Sequence, residues 1–260
     1  METLTKGGRF FFAASIAGFG MQYLTYAALA APAPGPPWTP GSRLWAYVTG
    51  AFLIAVAVSI ATKKSARVAA FLLGSMFFLR VLLIHGPKLA ANLHDPGPWT
   101  TTFEVLAMCG AALVLAGTLP VVQHSSQRWE SAMEKTAVLG RFLFAISLVI
   151  FGIQHLMYAR FVASLVPSWI PGHLFWAYFT GAAFIAAAMS IITGKSARLA
   201  ATLLGLMFLL WVLLLHLPRV AVSPHNGNEW TSAFVALAMC GGAFVLARTF
   251  GKGESRPAYV

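Results

Sequence analysis

The stretch PWTPGSRLWAYVTG at residues 37–50 occurs a second time, in altered form, as PSWIPGHLFWAYFTG at residues 167–181. Pairing Trp38 with Trp169 aligns the chain downstream at an offset of 131 residues, and pairing Gln22 with Gln154 aligns it upstream at an offset of 132. The matched positions include Arg9/Arg141, Tyr26/Tyr158, Trp45/Trp176, Arg67/Arg198, His85/His216 and Trp99/Trp230. The chain is therefore predicted to be a tandem duplication of one unit.

The composition places this duplicated unit in a membrane. Hydrophobic residues make up 58% and charged residues 10% of the chain, whereas about 25% of the residues in a soluble domain are charged. Apolar stretches of about twenty residues are long enough to cross the hydrocarbon core as helices. Eight such stretches lie at residues 10–31, 43–62, 67–85, 99–118, 141–161, 174–193, 198–216 and 230–249. Strand-type alternation is absent from the sequence, so an all-α integral membrane protein is predicted.

The repeat also predicts how the spans are arranged. Four spans per unit return the chain to its starting side, so both copies should enter the membrane from the same side, related by a pseudo-two-fold axis along the membrane normal. We expect two parallel-repeat four-helix bundles, at residues 1–119 and 138–251. Residues 120–137 are expected to form a cytoplasmic linker with room for a short interfacial helix, and residues 252–260 a cytoplasmic tail.

The net charge of +11 is spread over several short loops and does not form the stripe that nucleic-acid-binding proteins carry. With a cytoplasmic N-terminus, the inner loops hold thirteen Lys and Arg residues and the outer loops four, while Arg80 lies inside a span. Cytoplasmic loops of membrane proteins carry such an excess of positive charge. A multi-pass protein with both termini in the cytoplasm is therefore predicted, with the lipid bilayer and not nucleic acid as its partner.

Several segments together resemble a known family. They are RFLFAISLVIFGIQHLMY (141–158), the outer Trp-Pro-Gly loop, GKSARLAATLLGLM (194–207), and HLPRV (216–220) followed by EWTSAF (229–234). This pattern resembles the DoxX-like family of small four-helix bacterial membrane proteins, in two fused copies that cover nearly the whole chain. The resemblance implies a bacterial inner membrane. Some members of the wider family are associated with quinone-linked sulfur oxidation or redox assemblies. No catalytic residues are carried over.

Polar side chains within the spans are costly in a bilayer and are functional candidates by default. In this chain they lie toward the predicted outer side. Gln22 and Tyr26, four residues apart, share a helix face, and His155 replaces Tyr23 in the second unit. The candidates for ligand contact are Gln22, Tyr26, Trp45, Arg80, His85, Trp99, Glu104, Gln154, His155, Tyr158 and His216. A polar layer in the outer leaflet is predicted.

The repeated Trp-Pro-Gly loop lies between the first and second spans of each unit. Its prolines and glycine shape a turn, and its aromatic rings suit the headgroup zone, so one interpretation is an interfacial anchor. The other interpretation is a lid over a binding cavity.

Arg80 and Glu104 are predicted to lie at equal depth, roughly 7 to 8 Å below the outer end of their spans at helical rise. Both charges are lost together in the second unit, where Trp211 and Val235 replace them. The sequence therefore predicts that they form a pair. One interpretation is a structural clamp between the third and fourth spans. The other is that Arg80 binds an anionic or carbonyl group and Glu104 orients it.

The histidines His85 and His216 are expected to close the third span of each unit, with a proline shortly after. A hydrogen-bonded role at a helix end is favoured over haem ligation, because CxxCH is absent and no further histidines pair at matching depth. No metal site is predicted. Cys109 and Cys240 lack the spacing of a dithiol or zinc site and are expected to be packing residues.

Motifs for nucleotide binding, a Ser-His-Asp arrangement and paired catalytic carboxylates are absent from the sequence, which leaves three hypotheses. The first is the binding of a quinone or lipid in an outer-leaflet cavity, as an accessory to a redox system. The second is a scaffold that packs against another membrane protein or a second copy of itself. The third is a transporter for a small solute, since a parallel repeat suits alternating access.

Overall fold

The computed structural model describes residues 2–28, 42–119 and 126–251, and in these residues every regular element is helical. The helices are α1 (Glu2–Ala28), α2 (Ser42–Thr62), α3 (Ala66–Arg80), α4 (Gly86–Ala91), α5 (Pro96–Thr118), α6 (Gln127–Met157), α7 (Ala159–Leu165), α8 (His173–Thr193), α9 (Ala197–Trp211), α10 (Leu217–Val222) and α11 (Gly227–Gly251). Two π-helical turns, π1 (Val81–His85) and π2 (Val212–His216), join α3 to α4 and α9 to α10.

Seven helical segments in the described residues are long and apolar enough to cross a membrane. They are Arg43–Thr62, Ala66–Ala91, Pro96–Thr118, Gln127–Met157, His173–Thr193, Ala197–Val222 and Gly227–Phe250. The predicted multi-pass helical membrane protein is thus confirmed at this level. Helix α1, with 27 residues, is long enough to span a bilayer, but polar residues such as Gln22 and Tyr23 dilute its apolar character. The eighth span stays a prediction.

The same order of elements occurs in both halves of the chain. A long helix, a second helix, a helix that passes through a π turn into a short helix, and a final long helix appear first as α1 to α5 and again from α6 to α11. The halves differ in α7, for which the first half has no described counterpart. They differ also in α6, because residues 127–137, predicted as part of a linker, form its first turns.

Local sequence explains where these helices begin. The side chain of Asp95 accepts a hydrogen bond from the backbone N–H of Gly97 at 2.9 Å, and Pro96 occupies the first position of α5, where no backbone donor is needed. The hydroxyl of Ser126 accepts from the backbone N–H of Trp129 at 3.3 Å and caps α6. A cap at Ser126 places the start of the helix well before the apolar run, which is why α6 includes the polar segment.

The two halves interlock and do not form two separate four-helix bundles. Helix α1 packs mainly against α2 and α11, while α6 packs mainly against α5 and α8. Helix α3 contacts α2 and α5, α9 contacts α8 and α11, and the most buried helices, α5 and α11, touch each other at the centre. The first helix of each half therefore packs on the last helix of the other half, which differs from the arrangement expected from the sequence.

Glycines permit this interlocking. A methyl group added at Gly110 of α5 would lie 2.5 Å from the carbonyl oxygen of Gly140 in α6, and one added at Gly140 would lie 2.5 Å from the carbonyl oxygen of Gly110. The equivalent residues Gly241 and Gly8 bring α11 and α1 together in the same way. Small residues at such positions let helix backbones approach closely, which is a main source of attraction between helices in a membrane.

Candidate functional site

Gln22, one of the candidate ligand residues, joins α1 to the first turns of α11. Its side-chain amide donates hydrogen bonds to the carbonyl of Gly227 at 2.9 Å and to the hydroxyl of Thr231 at 3.0 Å. The hydroxyl of Tyr26 lies against the same glycine, since a methyl group added at Gly227 would be 2.6 Å from it. These two residues thus stabilise the contact between the halves.

The second half repeats the glutamine contact but not the tyrosine contact. The amide of Gln154 in α6 donates to the carbonyl of Pro96 at 3.1 Å and to the hydroxyl of Thr100 at 3.0 Å, both in α5. Tyr158 instead lies at the break between α6 and α7 with an exposed side chain. Both glutamines therefore have structural partners in the neighbouring half.

The tryptophans of the predicted outer side fix turns or lie exposed. Trp99 donates its indole N–H to the carbonyl of Leu93 at 2.9 Å and stacks on Phe103. Trp176 donates in the same way to the carbonyl of Pro171 at 3.1 Å. Trp45 is 53% exposed on α2, as expected for a side chain that faces lipid. Most of the first copy of the Trp-Pro-Gly loop lies outside the described residues, so its interpretation as anchor or lid stays open.

Arg80 and Glu104, both described, do not form the predicted ion pair. The Arg80 guanidinium donates a hydrogen bond to the hydroxyl of Tyr23, which joins α3 to α1. Glu104 lies seven residues before Ala111 and so shares its face of α5. That face is directed at α11, because Ala111 contacts Gly242. The prediction was wrong because equal depth does not fix the direction in which each side chain leaves its helix.

Glu104 therefore lies half-buried without a hydrogen-bond or ion-pair partner among the described residues. In the same half, Nε2 of His85 is buried and also lacks a hydrogen-bond partner there. An unsatisfied polar group at membrane depth costs several kcal/mol. This end of the first half thus combines the Arg80–Tyr23 pair with two groups that have no hydrogen-bond partner in the described part of the chain.

The corresponding place in the second half is filled with aromatic rings. His155 and Trp211, which replace Tyr23 and Arg80, stack with ring centroids 6.0 Å apart and planes 14° from parallel. Phe184 packs edge-on against both, and Nδ1 of His155 is 2.8 Å from the carbonyl of Phe151. His155 is therefore packed among aromatic rings, and its role as a ligand contact stays a prediction.

The histidines His85 and His216 end the two π turns and do not end their helices, which continue to Ala91 and Val222. The backbone N–H of Gly86 donates to the carbonyl of Val81, five residues back, and Leu217 bonds Val212 in the same way. A proline follows in each copy, and its ring clashes with the carbonyl four residues earlier, so a wider turn relieves the clash. Nδ1 of His216, like Nε2 of His85, has no described partner.

Sequence reasoning missed a buried ion pair on the opposite side of the molecule. Arg67 is 3% exposed, donates from Nε to the carbonyl of Ala116 at 2.8 Å, and forms an ion pair with Glu130. The sequence analysis counts Arg67 among the thirteen cations of the predicted inner loops and assigns it no partner. The polar segment that carries Glu130 gave no signal of a partner, because the two residues come from different halves.

No group of three or more His, Cys, Asp and Glu residues in the described part of the chain is placed to hold a metal ion. The sulfur of Cys109 is 3.2 Å from the carbonyl of Gly74, and Cys240 is likewise buried. Both cysteines therefore lie within the packed interior.

The fold and these contacts define a multi-pass helical membrane protein. Residues 144–238, which extend from α6 into α11, match the model of a domain of unknown function, DUF8561. No curated protein and no solved structure matches the chain.

Proposed function

We propose that the first half of this protein binds a lipid-soluble molecule with a polar head group, such as a quinone, in the outer half of the membrane. The observation that carries the proposal is the carboxyl group of Glu104, which has no partner among the described residues and lies in the same half as Arg80. A carboxyl group at this depth is costly unless something hydrogen-bonds to it. A ligand head group that reached α5 from between the helices would supply that partner.

The residues of this half provide both donors and acceptors. Arg80 and the hydroxyl of Tyr23 donate to carbonyl oxygens, which an oxidised quinone presents. Glu104 accepts from hydroxyl groups, which a reduced quinol presents, and the free ring nitrogen of His85 serves either form according to its tautomer. A molecule with oxygen atoms on opposite edges of one ring matches this combination of groups better than a simple hydrocarbon chain does.

The duplication supports a division of roles between the halves. We propose that α1 is the eighth span, that the two units are related by a pseudo-two-fold axis along the membrane normal, and that the chain is a DoxX-like protein with both termini in the cytoplasm. The repeated Gln22 and Gln154 contacts support this symmetry. In the second half, rings of His155, Trp211 and Phe184 occupy the equivalent volume, so only the first half would bind the ligand.

A scaffold is the second candidate, because the hydrogen bond between Arg80 and Tyr23 also joins α3 to α1 without any ligand. In that case both charges of the first half would serve packing, and a membrane-protein partner or a second copy of the chain would be the functional contact.

The test is organic extraction and native mass spectrometry of the protein purified in a mild detergent, followed by titration with decylubiquinone. We expect Glu104→Ala and Arg80→Met to weaken decylubiquinone binding about tenfold or more, because each removes a hydrogen bond that involves a charged group. Val235→Ala is the matched control, since it makes the same truncation at the equivalent position of the second half and should retain full binding.

Two results would contradict the proposal. One is wild-type protein that carries no extractable lipid-soluble molecule and does not bind decylubiquinone. The other is decylubiquinone binding that is unchanged in Glu104→Ala and Arg80→Met, because a ligand whose binding depends on neither residue does not occupy this site. Either result would favour the scaffold.

A further inference from the structure

A cavity lies between the two halves, at the predicted cytoplasmic end of the molecule and opposite the end that carries Arg80. The start of α1 and the ends of α2, α5 and α11 enclose a volume of about 170 Å³. A single water molecule needs only about 10–15 Å³ of such volume, so the cavity has room for a phosphate group. None of the residues that line this cavity belongs to the proposed ligand site at Tyr23, Arg80, His85 and Glu104.

Three cations line this cavity, namely Arg9, Lys63 and Arg248. No carboxylate is among its lining residues, and Arg9 and Arg248 make no hydrogen bond or ion pair with any residue that the structure describes. Arg248 is near enough to Arg9 to act on it electrostatically. Like charges held together repel one another, so a bound anion would remove an unfavourable interaction in addition to making hydrogen bonds.

The place that the repeat relates to this cavity, at Arg141, has a single cation. Arg141 corresponds to Arg9, but Gly194 and Gly117 replace Lys63 and Arg248. The Arg141 guanidinium lies over the ring of Phe250, 5.7 Å from its centroid, and this ring belongs to the position of Leu119. Arg9 and Arg141 each lie over the ring of the next residue, Phe10 at 4.4 Å and Phe142 at 4.8 Å. The place at Arg141 therefore differs by an additional ring, Phe250, that packs on the cation, whereas the cavity at Arg9 has two further cations and the smaller Leu119.

The backbone at Lys63 supports a role for its side chain. Lys63 has a φ of 65°, in the left-handed region, where the second half has Gly194 with a φ of 77°. A residue with a Cβ atom pays roughly 1–2 kcal/mol in this conformation, whereas glycine adopts it freely. Lys63 therefore lies at the rim of the cavity in a strained backbone conformation.

We propose that Arg9, Lys63 and Arg248 form a binding site for a phosphate group, either in the head group of an anionic phospholipid of the inner leaflet or as a free phosphate anion. Basic pockets between transmembrane helices on the cytoplasmic side recognise anionic head groups, and arginine binds phosphate oxygens in a bidentate manner. The apolar floor, formed by Leu115, Leu119 and Val245, would contact the glycerol region of a lipid.

The test uses the full chain in a zwitterionic detergent and measures thermal unfolding and native mass spectra. The probes are dihexanoyl phosphatidylglycerol, dihexanoyl phosphatidylcholine and inorganic phosphate, all at matched ionic strength. A ligand that binds only the folded state raises the melting temperature with its concentration. The variant is Arg9→Gln/Arg248→Gln, and the control is Lys64→Gln, which removes an exposed cation next to Lys63 that does not line the cavity.

We expect phosphatidylglycerol to raise the melting temperature of the wild type and of Lys64→Gln, and the double variant to bind it about tenfold or more weakly. Without any probe, the double variant should melt no lower than the wild type, because it has lost a repulsion. A response to inorganic phosphate that equals the response to phosphatidylglycerol would identify a free anion as the ligand. Equal responses to phosphatidylglycerol and phosphatidylcholine, or equal loss in Lys64→Gln and the double variant, would overturn the proposal.

Discussion

Arg67→Met is expected to lower the free energy of unfolding by about 3 kcal/mol, because it breaks a buried ion pair. Arg67 is 3% exposed, and its guanidinium satisfies both the carbonyl of Ala116 and the carboxylate of Glu130. The substitution would remove this donor from the Ala116 carbonyl and from the Glu130 carboxylate. Because Glu130 is 23% exposed, water partly solvates the remaining carboxylate, so the effect should be near the low end of the range for buried pairs. Reversible unfolding in mixed micelles measures the change.

Arg198→Met is the matched control, because Arg198 is the equivalent residue of the second half and its side chain is exposed. We expect less than about 1 kcal/mol for this change, as for other exposed charged residues. The double variant Arg67→Met/Glu130→Met should recover much of the loss, because it removes the partly buried carboxylate together with the guanidinium. Equal losses from Arg67→Met and Arg198→Met would show that the burial of Arg67 does not matter for stability.

This ion pair also explains the difference between the predicted linker and the observed helix. Polarity alone placed residues 120–137 outside the bundle, since charged residues within an apolar chain usually mark a loop. In the structure, Glu130 forms an ion pair with Arg67. Trp129 packs against Phe71, with ring centroids 5.8 Å apart. These contacts hold the first turns of α6 against α3, so residues 127–137 of the polar segment are part of the packed helix.

Composition and periodicity could predict the helical class and the positions of most spans, because both depend on properties local to each segment. Composition and periodicity could not predict which residues contact each other between helices. Gln22 and Thr231 are 209 residues apart, and nothing in either segment specifies the other. The Arg80 and Glu104 pairing failed for a related reason. Depth follows from counting residues along a helix, but contact also requires the direction around the axis, which depends on how the helices are packed.

The alignment of the halves was the most informative signal, because it identified where the copies differ. Tyr23, Arg80 and Glu104 were replaced together, and the structure shows aromatic packing at two of the three replacements. The cavity with Arg9, Lys63 and Arg248 differs from its counterpart in the same way. The two proposed sites therefore lie at opposite ends of the molecule, the first in the first half and the second between α1, α2, α5 and α11, while aromatic side chains pack at both symmetry-equivalent places.

Gly241→Ala is expected to lower the free energy of unfolding by about 1–3 kcal/mol, because it forces α11 away from α1. The added methyl group would lie 2.4 Å from the backbone nitrogen of Phe12 and 2.8 Å from the carbonyl oxygen of Gly8. Backbone atoms cannot rotate out of the way, so the helices themselves must separate. The measurement is again reversible unfolding in mixed micelles.

Gly7→Ala is the control for this contact, because a methyl group at Gly7 would be 3.7 Å from its nearest neighbour, the ring of Phe11. Alanine favours the helix over glycine by about 0.5–1 kcal/mol, so this variant should be as stable as the wild type or more so. Since α1 carries both Tyr23 and Gln22, separation of α1 from α11 should also weaken decylubiquinone binding in Gly241→Ala but not in Gly7→Ala. Equal stability of the two variants would mean that the helices do not approach as closely as this interface requires.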